Sequence, residues 1–581
     1  MTESRIKSIL AADFGSVNTR ALLFDRVDGL HRLVAQARAS ATVGPPDENV
    51  QVGLVAALQK ISESTGRRLL DDDGRLIRPE QADRIGVDYF ITTASAGPPL
   101  RAVLVGLYPQ VSIAAARRAI APFYIDAVAE VHLEDGLGAK GRLNRIVHSR
   151  PQLILISGGT DGGARTALLE MLILLREAVS LMPLGKRPVV LYAGNSSLAA
   201  SARENLSQLV EVLIAPNIRQ GDSESLEPLQ AVLESCFDEA RRRSKLFQQC
   251  AAMSDTGIMP SARGSETMTA FFARATGADA LTVDVGSAKT MLSLGRAGRI
   301  STAMRNDIGL GHSAAAALEI IGENEISRWL PFHPRKGELA QYAQNKGARA
   351  ASLPLDMRER YIEYALLRAG IRFVAGELAQ FDGARVGLVM LAGGCFTEGG
   401  QGALDMMLLA DALQLEGAVQ VKADPHGALP ALGTLAAALP EAVVQLVNGN
   451  ALEHVGTLLR VSGKAAAGTT AVKVKAKRNN GDRFEREVSA GGVWHLPLPA
   501  AGTVDLRIQV RRGLSIGGQR RLRLQAQGGR GGLLIDARLD ALAQAKTMTE
   551  RAVNMLRWYA AVTGQERPVA IPESWLAGPE E

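Results

Sequence analysis

One short signature occurs twice in this chain, far apart: Ile9-Leu10-Ala11-Ala12-Asp13-Phe14-Gly15-Ser16 near the amino terminus and Leu281-Thr282-Val283-Asp284-Val285-Gly286-Ser287 in the middle. Each is an apolar run that delivers an aspartate and then bends at Gly-Ser. Each is followed by a second strand-like run, Thr19 to Asp25 and Thr290 to Leu294, so both read as β-hairpins with Asp-x-Gly-Ser at the bend. Such a bend turns backbone N–H groups outward. Glycine lets the backbone approach a phosphate closely, the serine hydroxyl adds a donor, and the aspartate can hold magnesium through the ion's water shell. Two facing copies would grip a triphosphate from both sides. Asp13, Gly15, Ser16, Asp284, Gly286 and Ser287 are therefore the first candidate site residues, with Lys289 or Arg20 to offset phosphate charge.

Each copy has a later companion, a strand that ends in a glycine pair: Leu153 to Gly159 and Val386 to Gly394. The repeated order points to two related α/β domains that carry insertions of different size. Gly158, Gly159, Gly393 and Gly394 join the candidates, together with Thr160 and Asp161 from the run Gly158 to Gly163. Flanked by glycines at a strand end, Asp161 has two readings: its carboxylate orients water or magnesium in a cleft, or it forms an Asx turn or caps a helix starting near Arg165. Thr92, Thr93 and Ser95 end another strand, where their hydroxyls line the same cleft or cap a helix beyond Pro99.

The duplicated arrangement resembles the actin, Hsp70 and sugar-kinase superfamily, where two such hairpins bracket ATP and a Gly-Gly turn of the second domain meets the adenosine. The resemblance implies that role for Gly393 and Gly394 and assigns the two phosphate motifs to Asp13-Gly15-Ser16 and Asp284-Gly286-Ser287. A narrower likeness lies in Thr92 to Gly97 leading into Leu100 to Leu107, in Ile156 to Gly163, in Tyr192 to Asn195 and in Met304 to Ala314. These segments are similar to MutL-type accessory proteins of glutamate mutase, a family distinct from the mismatch-repair protein of that name. They spread over roughly residues 5 to 440. The family implies an ATP-driven reactivating or chaperone factor for a coenzyme-B12-dependent mutase. Where its second phosphate motif usually reads Asp-x-Gly-Gly with a threonine pair and a following aspartate, this chain has Ser287, Lys289 and Met291, so ATP binding is implied more firmly than hydrolysis.

Charge is unevenly placed. Arg460 to Arg538 holds 16 Lys and Arg against 5 Asp and Glu, whereas the whole chain is only +6. In that segment Ala471 to Lys477, Arg483 to Val488, Gly492 to Leu498, Thr503 to Val510 and Arg521 to Gln527 alternate polar and apolar residues between Gly-rich turns, the pattern of a basic all-β module. Its cations guard strand edges or meet an acidic protein partner; only Phe484 and Trp494 could stack on bases, which argues against nucleic acid. Three cysteines without a Cys-x-x-Cys pair and the lack of a signal peptide point to a reducing cytoplasm. The apolar stretch Ala428 to Val447 contains Pro430, Pro440 and Glu441 and reads as buried helix, not a transmembrane segment.

Several motifs carry no chemistry. Gly309 to Ala314 mimics a dinucleotide loop but follows no buried strand, and Asp424-Pro425-His426-Gly427 lacks the later glycine of a cobalamin-ligating motif. There is no P-loop, no metal-ligand spacing among the histidines, and Cys395 reads as a small buried residue.

These readings combine into an α/β fold, a duplicated actin-like (ribonuclease H-like) ATPase core with a C-terminal all-β domain. The expected domains are a first ATPase domain at 1–182, an α/β insertion at 183–275, a second ATPase domain at 276–455 with a helical insertion at 313–376, a basic β-sandwich or barrel at 456–540, and a helix with an exposed, mobile tail at 541–581. Asp13 and Asp284 are the expected magnesium-water ligands, Asp161 a candidate for water activation, and ATP and Mg2+ the expected cofactors. The expected partner is a B12-dependent mutase, with self-association left open. A small-molecule kinase of the same superfamily and a slowly hydrolysing scaffold or filament protein are the alternatives.

Overall fold

The computed structural model describes residues 6–576, apart from 45, 122, 124, 164, 221–222, 398–400, 540–544 and 566–569. It divides into an amino-terminal unit of residues 9–21 and 37–264 and a carboxy-terminal unit of residues 1–8, 22–36 and 265–581.

In the amino-terminal unit, β1 (Ile9–Phe14) is buried along its whole length except at Asp13, as expected of a strand covered on both faces. The chain returns through β2 (Asn18–Val27) and β3 (Leu30–Ser40), of which residues 22–36 are counted with the carboxy-terminal unit, joined by Asp28-Gly29 with both φ angles positive, as a two-residue hairpin turn requires. β4 (Tyr89–Ala94) lies parallel to β1 and sets Thr93 opposite Asp13. Next come β5 (Leu100–Val105), β6 (Ile125–Val131), β7 (Leu153–Gly158), β8 (Val189–Gly194) and β9 (Val212–Ile214), which pair in parallel in the order β6-β5-β7-β8-β9. Alternate residues of these strands feed two cores, Val103, Ile154 and Leu172 in one and Leu104, Leu155 and Phe237 in the other, so this sheet is covered on both faces. After the small ribbon β10 (Arg219–Gln220) and β11 (Ser223–Glu224), β12 (Ile258–Pro260) pairs with β4 and completes the order β12-β4-β1-β2-β3.

This corrects three expectations. The strand beside β1 is β4, followed by Ser95-Ala96-Gly97; β7 with Gly158 and Gly159 belongs to the other sheet. The inserted α/β segment begins at Leu100, not at residue 183, and a strand rather than a helix follows Pro99.

The carboxy-terminal unit begins with the meander β13 (Asp279–Val285), β14 (Thr290–Arg296) and β15 (Arg299–Arg305). Four helices, Ala314–Ile321, Glu323–Ser327, Glu338–Ala348 and Met357–Glu377, fill the expected helical insertion. β16 (Val386–Ala392) then lies parallel to β13 and β17 (Gly417–Ala423) parallel to β16. The order β15-β14-β13-β16 repeats β3-β2-β1-β4, which is the duplicated actin-like core.

The basic segment is not a separate sandwich or barrel. β18 (Glu453–Arg460), the short β19 (Ser462–Gly463), β20 (Thr470–Arg478), β21 (Arg483–Ser489), β22 (Gly492–Val510), the short β23 (Leu514–Ser515) and β24 (Arg521–Ala537) follow, and all but the two short strands extend the β13 sheet. The ten strands run β15-β14-β13-β16-β17-β18-β24-β22-β20-β21. Leu458 and Leu534 point into the helix-covered core of the unit, while their neighbours Leu459 and Ile535 point into the apolar cluster of the β extension. One pair of strands therefore serves two cores.

A buried ionic network fixes this junction. Arg538 bonds Asp411 at 2.7 Å and Asp536 at 2.8 Å, and Arg368 bonds Asp411 at 3.2 Å and the Tyr559 hydroxyl at 2.8 Å. Helices Met357–Glu377, Ala403–Leu413 and Met548–Thr563 are thus tied to the end of β24. The expected exposed tail is buried in part: Trp575 is 7% exposed and packs on Phe332 with ring centroids 5.0 Å apart. Residues 577–581 lie outside the described residues. Ala428 to Val447 forms two helices, Leu429–Leu435 and Pro440–Asn448, and no described helix is long and apolar enough to cross a membrane.

Candidate functional site

Both Asp-x-Gly-Ser bends close with the same backbone bond. The Gly15 N–H donates to Asn18 O at 3.0 Å, and the Gly286 N–H donates to Lys289 O at 2.8 Å. A Cβ on Gly15 would stand 2.9 Å from Asn18 O, so only glycine makes that bend without displacing backbone. Each aspartate is a partly exposed residue near the end of a largely buried strand, two residues before its glycine.

In the amino-terminal unit the Asp13 carboxylate is held. Its Oδ1 accepts from the Thr93 hydroxyl at 2.6 Å and from the Ser261 hydroxyl at 2.7 Å. Thr93 comes from β4, and Ser261 opens the helix Ser261–Thr276 that follows β12. The second oxygen faces no hydrogen-bond partner among the described residues, and neither does the Ser16 hydroxyl. Arg20, on β2, has a buried Nε without a hydrogen-bond partner.

In the carboxy-terminal unit the serine is held instead. Ser287 Oγ accepts from the His312 backbone N–H at 2.9 Å and lies 2.8 Å from His312 Nδ1, while Ser287 O accepts from the Gly311 N–H at 2.9 Å. Leu310 N–H donates to Gly286 O at 3.0 Å. The loop that mimicked a dinucleotide motif is therefore a brace around the second hairpin. Its glycines are needed for closeness: a Cβ on Gly309 would lie 2.4 Å from Ser287 O, and one on Gly311 2.2 Å from Ser287 Oγ. Gly393, with φ +95°, packs on the other side, where a Cβ would fall 2.0 Å from Val285 O. Gly394 has open space at its Cβ position and starts the turn Gly394–Thr397. Cys395 is only partly buried, against the expectation of a buried residue, and desolvation pushes its thiol well above the usual range.

The Asp284 carboxylate has no hydrogen bond or ion pair among the described residues, and neither has the side-chain ammonium of Lys289, a residue only 7% exposed. An ammonium so placed is costly unless an anion meets it.

Gly158, Gly159, Thr160 and Asp161 lie at the carboxyl end of β7 in the inserted parallel sheet, which contains the strands of neither hairpin. Asp161 Oδ1 accepts from the Ser196 N–H at 2.8 Å and from Asn217 Nδ2 at 2.9 Å. These bonds, the backbone one first, hold its carboxyl below the usual range. Buried Asn195 takes the Gly162 N–H and donates to Gly163 O, so the run Gly158 to Gly163 is fastened from behind. Thr92 does not join the Asp13 group; its hydroxyl donates to Gly257 O at 2.7 Å.

Sequence reasoning missed Ser261 and the His312 loop. Ser261 carries no motif of its own, and only the pairing of β12 with β4 brings it to Asp13. The Gly-x-Gly-x-x-Ala spacing did signal close backbone approach, but to the protein's own serine. Asp424, discounted as a cobalamin motif, accepts from the Ala428 and Leu429 N–H groups at 2.7 Å each and caps a helix. Among the described residues no cluster of three or more His, Cys, Asp or Glu could hold a metal ion.

The sequence model of one protein family, MutL protein, matches residues 9–450. No curated protein matches. Among solved structures, nucleotide-free acetone carboxylase is 12% identical, with 84% of this chain and 81% of that chain covered and a TM-score of 0.32. Component A of (R)-2-hydroxyglutaryl-CoA dehydratase from Acidaminococcus fermentans is 11% identical, with coverage of 75% and 99% and a TM-score of 0.27. Ligand-bound xylulose kinase from Lactobacillus acidophilus is 11% identical, with coverage of 76% and 92% and a TM-score of 0.30.

Proposed function

We propose, because this chain belongs to the MutL protein family, the glutamate mutase accessory family, that it binds ATP with magnesium and acts as an accessory factor to a coenzyme-B12-dependent mutase. The observation that carries the nucleotide reading is the same bend built twice, each beside a cation that finds no anion among the described residues, Arg20 at the first and Lys289 at the second. A phosphate chain supplies that anion. Gly15, Ser16, Gly286 and Ser287 would offer amides and hydroxyls to its oxygens, and Gly393 and Gly394 an open glycine turn to the adenosine. Magnesium, bound with the nucleotide, would neutralise phosphate charge. The free oxygen of Asp13 and the unpartnered carboxylate of Asp284 suit its water shell. Asp161, held by Ser196 and Asn217, would act on the order of its own loop first.

The free thiols support the expected reducing, cytoplasmic setting: burial pushes Cys236 up to about 11 and Cys250 up to about 12, so neither is a ready thiolate.

Thermal unfolding with and without ATP and magnesium tests the reading. A hundredfold excess over Kd should stabilise the protein by about 2.7 kcal/mol. No shift across millimolar nucleotide would refute ATP binding. Turnover tests the accessory role: slow basal hydrolysis should respond to a B12-dependent mutase, above all an inactivated one, and to no panel of sugars, polyols or carboxylates. Stoichiometric phosphorylation of a small molecule would make the protein a kinase.

A further inference from the structure

Arginines and lysines on a β extension are ordinarily edge protection. That account fails for the exposed face of β20, β22 and β24. The strand register sets Lys475 opposite Arg507, and Arg507 opposite Arg523; one rung along, Gln509 stands between Lys473 and Arg521. β22 is an inner strand between β20 and β24, so Arg507 guards no edge. Like charges directly opposed across an antiparallel pair destabilise it.

The nearby acids relieve the lysines and leave the arginines unpaired. Glu485 pairs with Lys475 at 2.7 Å, Glu487 pairs with Lys473 at 2.7 Å, and Asp505 accepts from Gln525 at 3.0 Å. Arg507, Arg521 and Arg523 are exposed, and their guanidinium groups have no ion pair or hydrogen bond among the described residues. The turn beyond β22 adds Arg511, Arg512 and Arg520, also exposed and unpaired. A fold that leaves this many guanidinium groups side by side is complete only when something anionic covers them.

We infer that this strip is the docking surface for an acidic, carboxylate-bearing face of a protein partner. Three observations favour a protein over a nucleic acid or a bilayer. Exposed Glu485, Glu487 and Asp505 bracket the strip and would repel a continuous phosphate backbone, whereas a folded partner can match alternating charge. Phe484 and Trp494 are packed edge-on against each other, 6.1 Å apart, and offer no platform for bases. No large hydrophobic residue between 460 and 540 is exposed to anchor in lipid. The inference deepens the accessory reading and rests on it only for the partner's identity.

The experiment uses the full-length protein and fluorescent poly-L-glutamate as probe, with duplex DNA and phosphatidylglycerol vesicles as competing arms. Wild type should bind poly-L-glutamate with an affinity that falls with salt. The double variant Arg521→Glu/Arg523→Glu should bind at least about tenfold more weakly, and a B12-dependent mutase likewise. Its unfolding midpoint should hold or rise, since Arg507 then faces a glutamate. Arg507→Gln is the milder variant and should show a smaller loss in the same direction. Equal binding by wild type and both variants overturns the inference, as does tighter binding of DNA or vesicles than of poly-L-glutamate. ATP-induced stabilisation, read on the same samples, keeps the two readings apart: loss of ATP binding with the strip intact sinks only the nucleotide reading.

Discussion

The two Asp-x-Gly-Ser hairpins share a backbone and differ in which side chain the protein holds. At the first, Thr93 and Ser261 fix the carboxylate of Asp13, and the Ser16 hydroxyl has no partner among the described residues; at the second, the His312 loop fixes Ser287, and the Asp284 carboxylate has none among them. A hydroxyl pair that donates to a carboxylate orients it, which suits a group that must keep magnesium-bound water in place. A serine clasped by a backbone N–H and an imidazole is positioned before any ligand arrives. The chain has divided preorganisation between its two copies instead of repeating it.

The supports differ too, and here the largest effect is expected. The strand of the second hairpin, β13, lies in a sheet whose far half is residues 462–537, closed by the buried Arg538, Asp411 and Arg368 network. Ending the chain before Ser462 removes Arg538 and Tyr559, which breaks the buried Arg538–Asp411 pair and leaves Arg368, 1% exposed, with Asp411 alone. Breaking one buried pair costs about 3–5 kcal/mol, against a net stability of about 5–15. We expect the truncated protein to lose its carboxy-terminal unit, with fast hydrogen exchange at β13 and β16 and slow exchange retained at β1 and β4. Protected β13 amides in that protein would show the extension to be dispensable.

Glycine substitutions come next. Gly393→Ala combines a positive φ with a Cβ 2.0 Å from Val285 O and should cost about 3 kcal/mol; Gly15→Ala meets Asn18 O at 2.9 Å and should cost about 1. Denaturant midpoints decide it. Equal losses would mean that the second hairpin is no more tightly sealed than the first.

The hairpins themselves were legible because their signals are local: an apolar run, a bend and a return strand lie within about 15 residues, and period-two alternation likewise revealed β20, β21, part of β24 and, as two pieces, β22. Which parallel strand lies beside β1 was not legible. β4 and β7 are both buried strands that end near glycine, and nothing in either sequence says which sheet it joins. The same limit hid the insertion's start at Leu100 and the continuity of the basic strands with β17, because sheet membership is decided by pairing across long separations. Ser261, 248 positions from Asp13, was beyond reach for that reason. Nothing local in the sequence marks Arg368 and Arg538 as buried; their acids reach them from distant segments.

Carboxylate removal probes the division of labour directly. Asp13→Ala leaves the hydroxyls of Thr93, 1% exposed, and Ser261, 5% exposed, without their acceptor and should cost about 2 kcal/mol; Asp284→Ala should stay within about 0.5. The serines should behave in mirror image, with Ser287→Ala costing about 1 kcal/mol and Ser16→Ala almost nothing. Both aspartate variants should lose magnesium-dependent stabilisation by ATP. Matching stability losses at Asp13 and Asp284 would erase the contrast.

The smallest effect is expected at Asp161, which belongs to neither hairpin. Its carboxyl is held below the usual range by the Ser196 N–H and Asn217, so the sign follows: its contribution to stability is present above the unfolded-state value and fades as pH falls through and below it. Because the side chain is exposed, solvent screening should keep that contribution under about 0.5 kcal/mol. Urea midpoints of wild type and Asp161→Asn should differ slightly at neutral pH and converge below about pH 3. A carboxylate so stabilised is a weak base, and it acts on chemistry only by orienting water. Asp161→Asn should therefore leave ATP-induced stabilisation intact, and turnover separates its two roles. An unchanged rate makes it a fastening for the Gly158 to Gly163 loop, whereas a rate cut with binding retained makes it the group that positions the attacking water.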